Sequence, residues 1–127
     1  MSIASSARRA EAAEAQRLID AFVEAGGNFV DTADLYSAWV PGNSGGESEA
    51  IIGEWLAARG CRDRVAIATK TGAPELGTGL SKRAVESALE RSLHRLGTEY
   101  VDLYYAHFDD PDTPITAQVE TFGGLLA

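Results

Sequence analysis

The sequence has a single cysteine, Cys61, so no disulfide can form within it, and a reducing compartment is the simple expectation. It has no excess of positive charge. Lys and Arg number 11 against 19 Asp and Glu, for a net charge of −8. The imbalance is even along the chain: residues 1–64 carry 6 basic and 10 acidic side chains, residues 65–127 carry 5 and 9. With no basic patch, nucleic acid and anionic membrane are not expected partners. No run approaches the ~20 apolar residues of a membrane span. Met1 to Arg9 lacks the apolar stretch of a signal peptide, so the expectation is a soluble, cytoplasmic chain. Neither the Gly-x-x-x-x-Gly-Lys nor the Gly-x-Gly-x-x-Gly pattern occurs, so Gly42, Gly45 and Gly46 read as a flexible helix entry rather than a phosphate loop. There is no internal repeat and no low-complexity segment. What is present is 45% hydrophobic residues in 127, enough for a packed core in one domain or part of one.

The chain centres on Asn28-Phe-Val-Asp-Thr-Ala-Asp-Leu-Tyr36, where a short apolar run stops at Asp31. Before it, Ala15, Leu18, Ile19, Phe22 and Val23 recur at spacings of three and four, which predicts a helix from about Ala10 to Ala25, stopped by Gly26-Gly27. After it, Ser44 and Glu47 have capping-box spacing, and Ile51, Ile52, Trp55 and Leu56 form the stripe of a second helix ended by Gly60. Val65–Thr69 is a nearly all-apolar strand ending at Lys70, the pattern of a strand covered on both faces in a parallel sheet. Thr71 to Leu80 is a glycine-rich loop. Ser81 caps a third helix whose inner face is Val85, Ala88, Leu89, Ser92, Leu93 and Leu96, and Gly97 closes it. Tyr100 to Ala106 is a third strand, with His107 at its end. Residues 115–127 form a short helix ended by Gly123-Gly124. The order α-β-α-β-α-β predicts an α/β fold with parallel strands.

Three strand ends thus deliver Asp31, Tyr36, Lys70 and His107, and parallel α/β proteins place their chemistry at strand ends. A phenol is a weak acid, and a nearby ammonium makes its proton easier to give by stabilising the anion. A carboxylate keeps that ammonium charged and in place, and an imidazole can hold a carbonyl oxygen in line for protonation. The four residue types suit reduction of a carbonyl, with the hydride coming from a cofactor, since no side chain supplies one. Singly, each has a plain alternative: Asp31 a helix cap, Lys70 a solvated strand end, Tyr36 a packed aromatic, His107 a structural histidine. Their joint placement favours a site. His94, between Arg91 and Arg95 within the third helix, reads as structural, and Cys61 has no neighbour that would make it a nucleophile.

These segments resemble the aldo-keto reductase family. Phe29-Val-Asp-Thr-Ala-Asp-Leu-Tyr36 is similar to its first signature, Gly46-Glu-Ser-Glu49 with Ile52-Gly53 to the following helix, and Ala68-Thr-Lys70 to its lysine strand. Val85 to Gly97 with Tyr100-Val-Asp-Leu-Tyr-Tyr-Ala-His107 resembles the segment ending in the family's histidine. The resemblance implies a (β/α)8 TIM barrel, NADP(H) as cofactor and a small-molecule carbonyl substrate. It gives Tyr36 the role of acid and Lys70 that of lowering its pKa; Asp31 pairs with Lys70, and His107 orients the carbonyl. Asp31 and Tyr36 also lie beside the cofactor in this reading, with Trp39 and Phe108 as substrate-pocket walls.

A complete barrel needs about 250 residues. The expectation is a single, incomplete barrel over residues 1–127, with the stretch from about 116 departing from the family's fourth helix. The resemblance places most of the NADPH site in the second half, so the 127 residues alone are expected to be a truncated, inactive fragment. Open sheet edges would favour self-association. Two other readings stay open: a non-catalytic fragment keeping the tetrad by descent, and a metal-dependent barrel hydrolase using His107, Asp109, Asp110 and Asp31 or Asp34. The hydrolase lacks a His-x-His pair, and no metal site is the expected outcome.

Overall fold

The nearly all-apolar run becomes the middle of the sheet. A computed structural model describes residues 3–77 and 79–126. Met1, Ser2, Thr78 and Ala127, on which the leader, loop and tail expectations touch, lie outside the described residues. Strand β2 (Ala66–Thr71) lies between β1 (Phe29–Asp31) and β3 (Leu103–Ala106), and both pairings are parallel. Ile67, Ala68, Thr69 and Thr71 are fully buried, as a strand flanked on both sides should be. β1 and β3 are the edges of this sheet, and Phe29 and Leu103 on them are almost half exposed.

Among the described residues four α-helices accompany the strands: α1 (Ile3–Glu24), α2 (Glu47–Arg59), α3 (Lys82–Leu96) and α4 (Ile115–Gly124). The core lies where α2 and α3 meet the sheet and contains Ile52, Trp55, Leu56, Cys61, Val65, Ile67 and Leu96. The two helices approach closely at Gly53, where a Cβ would lie 2.2 Å from the Arg95 carbonyl oxygen. The Ser81 hydroxyl accepts from the Ala84 N–H, so α3 starts at the expected cap. Gly60 and Gly97 end α2 and α3 in the left-handed conformation. Among the described residues no helix is long and apolar enough to cross a membrane.

Four local expectations are corrected. α1 begins at Ile3 rather than near Ala10, and Leu18 and Phe22 of its predicted stripe are exposed. Among the described residues it packs on the core through Ile19 and Val23 and is pinned by Asp20, which accepts from Trp55 Nε1 at 2.8 Å and pairs with Arg59. The bonds from Arg59 and Trp55 take the Asp20 carboxyl down to about 2. Second, the helix-entry cap is Gly46 at φ 88, not Ser44. Half of the capping box survives, because the Glu47 carboxylate accepts the Ser44 N–H at 2.8 Å. A side chain at position 46 would meet the Arg95 guanidinium, with a Cβ 2.3 Å from its Nε. Third, β2 runs on past Lys70 to Thr71. Fourth, β3 starts at Leu103 rather than Tyr100. There the Asp102 carboxylate, rather than a backbone carbonyl, accepts the Ile67 N–H at 2.8 Å. Arg62 ties Asp102 and the Tyr100 carbonyl, holding that segment out of the ladder.

Candidate active site

The three strands end at one edge of the sheet, and the backbone continues their pairing into the loops. The Thr32 N–H donates to the Ala68 carbonyl at 2.9 Å, Asp34 N–H to Lys70 at 3.1 Å, and His107 N–H to Thr71 at 2.7 Å. Those bonds hold the loops after β1 and β3 on either side of Lys70. The Thr32 and Ser48 hydroxyls, 2.9 Å apart, fasten the β1 loop to α2. Ser37, directly after Tyr36, has φ 75, an uncommon conformation for a residue with a Cβ, and Asn43 Nδ2 donates to its carbonyl at 3.1 Å.

Asp31, Tyr36, Lys70 and His107 are brought together there. The Lys70 ammonium donates to Asp31 Oδ2 at 2.8 Å, to the Thr32 carbonyl at 2.9 Å and to Tyr36 Oη at 2.7 Å. An ammonium has three donors, and all three are taken. Lys70 is 6% exposed. Burial opposes its charge, but the bonds to Asp31 and Tyr36 more than offset this and hold its pKa above the ordinary value. The Tyr36 ring stands edge-on to His107 with centroids 5.7 Å apart. Trp39 lies edge-on to Tyr36 at 6.1 Å, and Phe108 stacks on His107 at 4.5 Å. Both outer aromatics are exposed.

A polar layer lies behind this edge. Asp34 is buried, and burial pushes its carboxyl above the usual range; the Thr71 hydroxyl works against that shift, and the charge of Glu49 adds to it. Glu49 is fully buried, accepting from Thr69 Oγ1 at 2.5 Å and from Arg95 Nη1 at 2.8 Å. The residues of the hydrolase reading are not gathered: the Asp110 carboxylate accepts the Leu80 N–H at 2.8 Å and the Thr113 hydroxyl at 2.6 Å, locking two loops. Among the described residues no group of three or more His, Cys, Asp or Glu is placed to hold a metal ion.

Two contributors were not foreseen. Tyr105 donates to Asp31 Oδ1 at 2.9 Å, and Glu49 braces α2 against β2 and α3. Tyr105 is opposite Lys70 in the ladder, and strand registers are set by pairing, so nothing local in the sequence signals it.

The charge of Lys70 makes a testable contribution to stability. Its folded pKa is raised, so the contribution is fully present below the unfolded value of about 10.4 and is lost as pH rises through the folded value. The stability difference between the parent chain and Asp31→Asn should therefore hold its full size from neutral pH to about pH 9 and narrow as pH rises beyond about 10.4. Denaturant melts at a series of pH values measure this, and a difference that stays constant through that range would contradict it.

A profile of the Aldo/keto reductase family matches residues 1–125. The chain is 39% identical over 123 residues to aldo-keto reductase ausK of Emericella nidulans, covering 88% of this chain and 29% of that protein. It is 39% identical over 124 residues to the aryl-alcohol dehydrogenase (NADP(+)) of Phanerodontia chrysosporium, covering 87% and 30%. Among solved structures, the holo form of aldo-keto reductase AKR11C1 from Bacillus halodurans superimposes with a TM-score of 0.74 at 36% identity, over 90% of this chain and 37% of that one. The chain therefore spans less than a third of the length of these two curated relatives.

Proposed function

The chain belongs to the aldo/keto reductase family and folds as part of its (β/α)8 barrel, and from that premise we propose that its strand ends form the proton-delivering side of a carbonyl reductase. The observation that carries this is the Lys70 ammonium, 2.7 Å from Tyr36 Oη and 2.8 Å from Asp31 Oδ2. In this reading Tyr36 gives a proton to the carbonyl oxygen as negative charge develops there. Lys70 stabilises the phenolate left behind, and Asp31 keeps Lys70 charged and in place. His107 orients the carbonyl, and Trp39 and Phe108 wall the substrate. A nicotinamide cofactor, NADP(H) by analogy with the aryl-alcohol dehydrogenase, supplies the hydride when bound. Asp31 and Tyr36 are the residues of this chain that face it.

The phosphate end of such a cofactor does not fit the residues gathered here. Lys70 is the ammonium of the site, and its three donors are already used within the protein. The net charge of −8 also disfavours a polyanion. We therefore read residues 1–127 as a single, incomplete barrel that cannot hold hydride donor and carbonyl in reacting geometry alone, and that geometry supplies a large share of rate enhancement. A cytoplasmic setting accords with the lone cysteine.

The test has two arms. NADPH titrated into the 127-residue chain should give no saturable fluorescence change and no aldehyde reduction, and light scattering on the same samples should report association through the uncovered edges. The chain fused to the remaining segments of the Bacillus halodurans relative should bind NADPH and reduce an aryl aldehyde. Saturable binding by the short chain would overturn the fragment reading. A folded, NADPH-binding fusion without turnover would overturn the carbonyl-reductase reading.

A further inference from the structure

The Asp31 carboxylate has two oxygens, and the ammonium uses one. Oδ2 accepts from Lys70 at 2.8 Å, while Oδ1 accepts from Tyr105 Oη at 2.9 Å. Tyr105 is on β3 and Asp31 on β1, so the phenol reaches across the central strand to the far edge. The register allows this: Tyr105 is paired with Lys70, and in a ladder paired residues share a face. Asp31 pairs with Ala68, two residues before Lys70 and hence also on that face. The Lys70 ammonium sits 5.5 Å from the centre of the Tyr105 ring. Two phenols therefore flank one ion pair, Tyr36 at the ammonium and Tyr105 at the carboxylate.

We propose that Tyr105 is a positioning residue of this site: its hydroxyl fixes the Asp31 carboxylate so that the other oxygen faces Lys70. The Asp31 side chain is 41% exposed and belongs to an edge strand of three residues. The terminal torsion of an aspartate is broad, so a carboxylate in that position turns freely unless a second bond holds it. Tyr105 supplies the bond, and among the described residues no other hydrogen bond reaches Oδ1. The phenol is suited to donate. Burial and the bond to Asp31 push its pKa up, against the smaller opposing pull of Lys70, so it keeps its proton across the neutral range. Its task differs from that of Tyr36, whose oxygen touches the ammonium directly and whose ring meets His107.

The proposal rests on reading Asp31, Lys70 and Tyr36 as the proton-delivering group, and its test reads the charge of Lys70 rather than turnover. The chain has two lysines, Lys70 and Lys82, and Lys82 is a surface residue of α3, so Lys82→Gln leaves one lysine resonance to follow by 13Cε NMR. In that background Tyr105→Phe should move the Lys70 titration to lower pH, because the freed carboxylate turns away from the ammonium. In a background that also carries Asp31→Asn, the same Tyr105→Phe exchange should leave the Lys70 titration where Asp31→Asn alone puts it. A Lys70 titration unmoved by Tyr105→Phe, or moved equally with and without Asp31, would overturn the proposal. If Tyr105→Phe does not fold, Asp31→Asn carries the test: the Tyr105 13Cζ titration should fall towards the ordinary phenol value, and an unchanged titration would overturn the proposal. A fusion without turnover whose Lys70 still responds to Tyr105 counts against carbonyl reduction, not against the positioning contact.

Discussion

In the fused barrel, Tyr36→Phe is expected to lower kcat/KM for aldehyde reduction by about 10²–10⁴, the range for loss of a positioned general acid. That is about 3–5 kcal/mol of transition-state stabilisation. Phenylalanine keeps the ring, so the edge-on contacts to His107 and Trp39, at 5.7 Å and 6.1 Å, can persist. What goes is the oxygen 2.7 Å from Lys70 Nζ, and with it the hydroxyl bonded directly to the cation. NADPH affinity should change little, because the loss falls on proton delivery rather than on binding. The split between the two is the informative part. A drop of less than about tenfold, with cofactor binding intact, would show that the proton comes from elsewhere.

Glu49→Ala is expected to destabilise the chain by about 3–5 kcal/mol, the cost of breaking a buried ion pair from one side. Glu49 is fully buried and uses both oxygens, one for the Thr69 hydroxyl and one for Arg95. Alanine leaves the buried Thr69 hydroxyl without its acceptor, the part-buried guanidinium without its counter-charge, and a cavity where the side chain was. Domains have only about 5–15 kcal/mol in total, so the variant should sit near the edge of folding. Glu49→Gln keeps the shape and one acceptor and should cost less, about 1–3 kcal/mol. Urea titrations compare the three chains. A Glu49→Ala loss below about 1 kcal/mol would mean that Arg95 and Thr69 find other partners, and that the brace between α2, β2 and α3 is not held here. Thr69 is the neighbour of Lys70, and α2 follows the loop that carries Tyr36. A loosened brace should therefore lower activity of the fusion as well as stability.

Much of this was decided by the sequence alone. Spacings of three and four residues marked the helices, and Gly60, Gly97 and Ser81 marked ends that the backbone adopts for steric and hydrogen-bonding reasons. The nearly all-apolar run at Val65–Thr69 specified a buried parallel strand, because only a strand covered on both faces can dispense with polar alternation. That Asp31, Tyr36, Lys70 and His107 come together was legible because each stands close to a strand end, a position that depends only on order along the chain. What depends on distance between chain segments was not legible. The start of β3 was set by Arg62 and Asp102, 40 residues apart, taking over part of the ladder. The half-exposed face of α1 was set by how little of it α2 covers. Tyr105 meets Asp31 across 74 residues only because the ladder register places it beside Lys70, and Glu49 meets Arg95 only because Gly53 lets two helices approach. Local pattern carries propensity and burial, whereas register and helix approach are minima of the whole packed arrangement and appear only when every segment is in place.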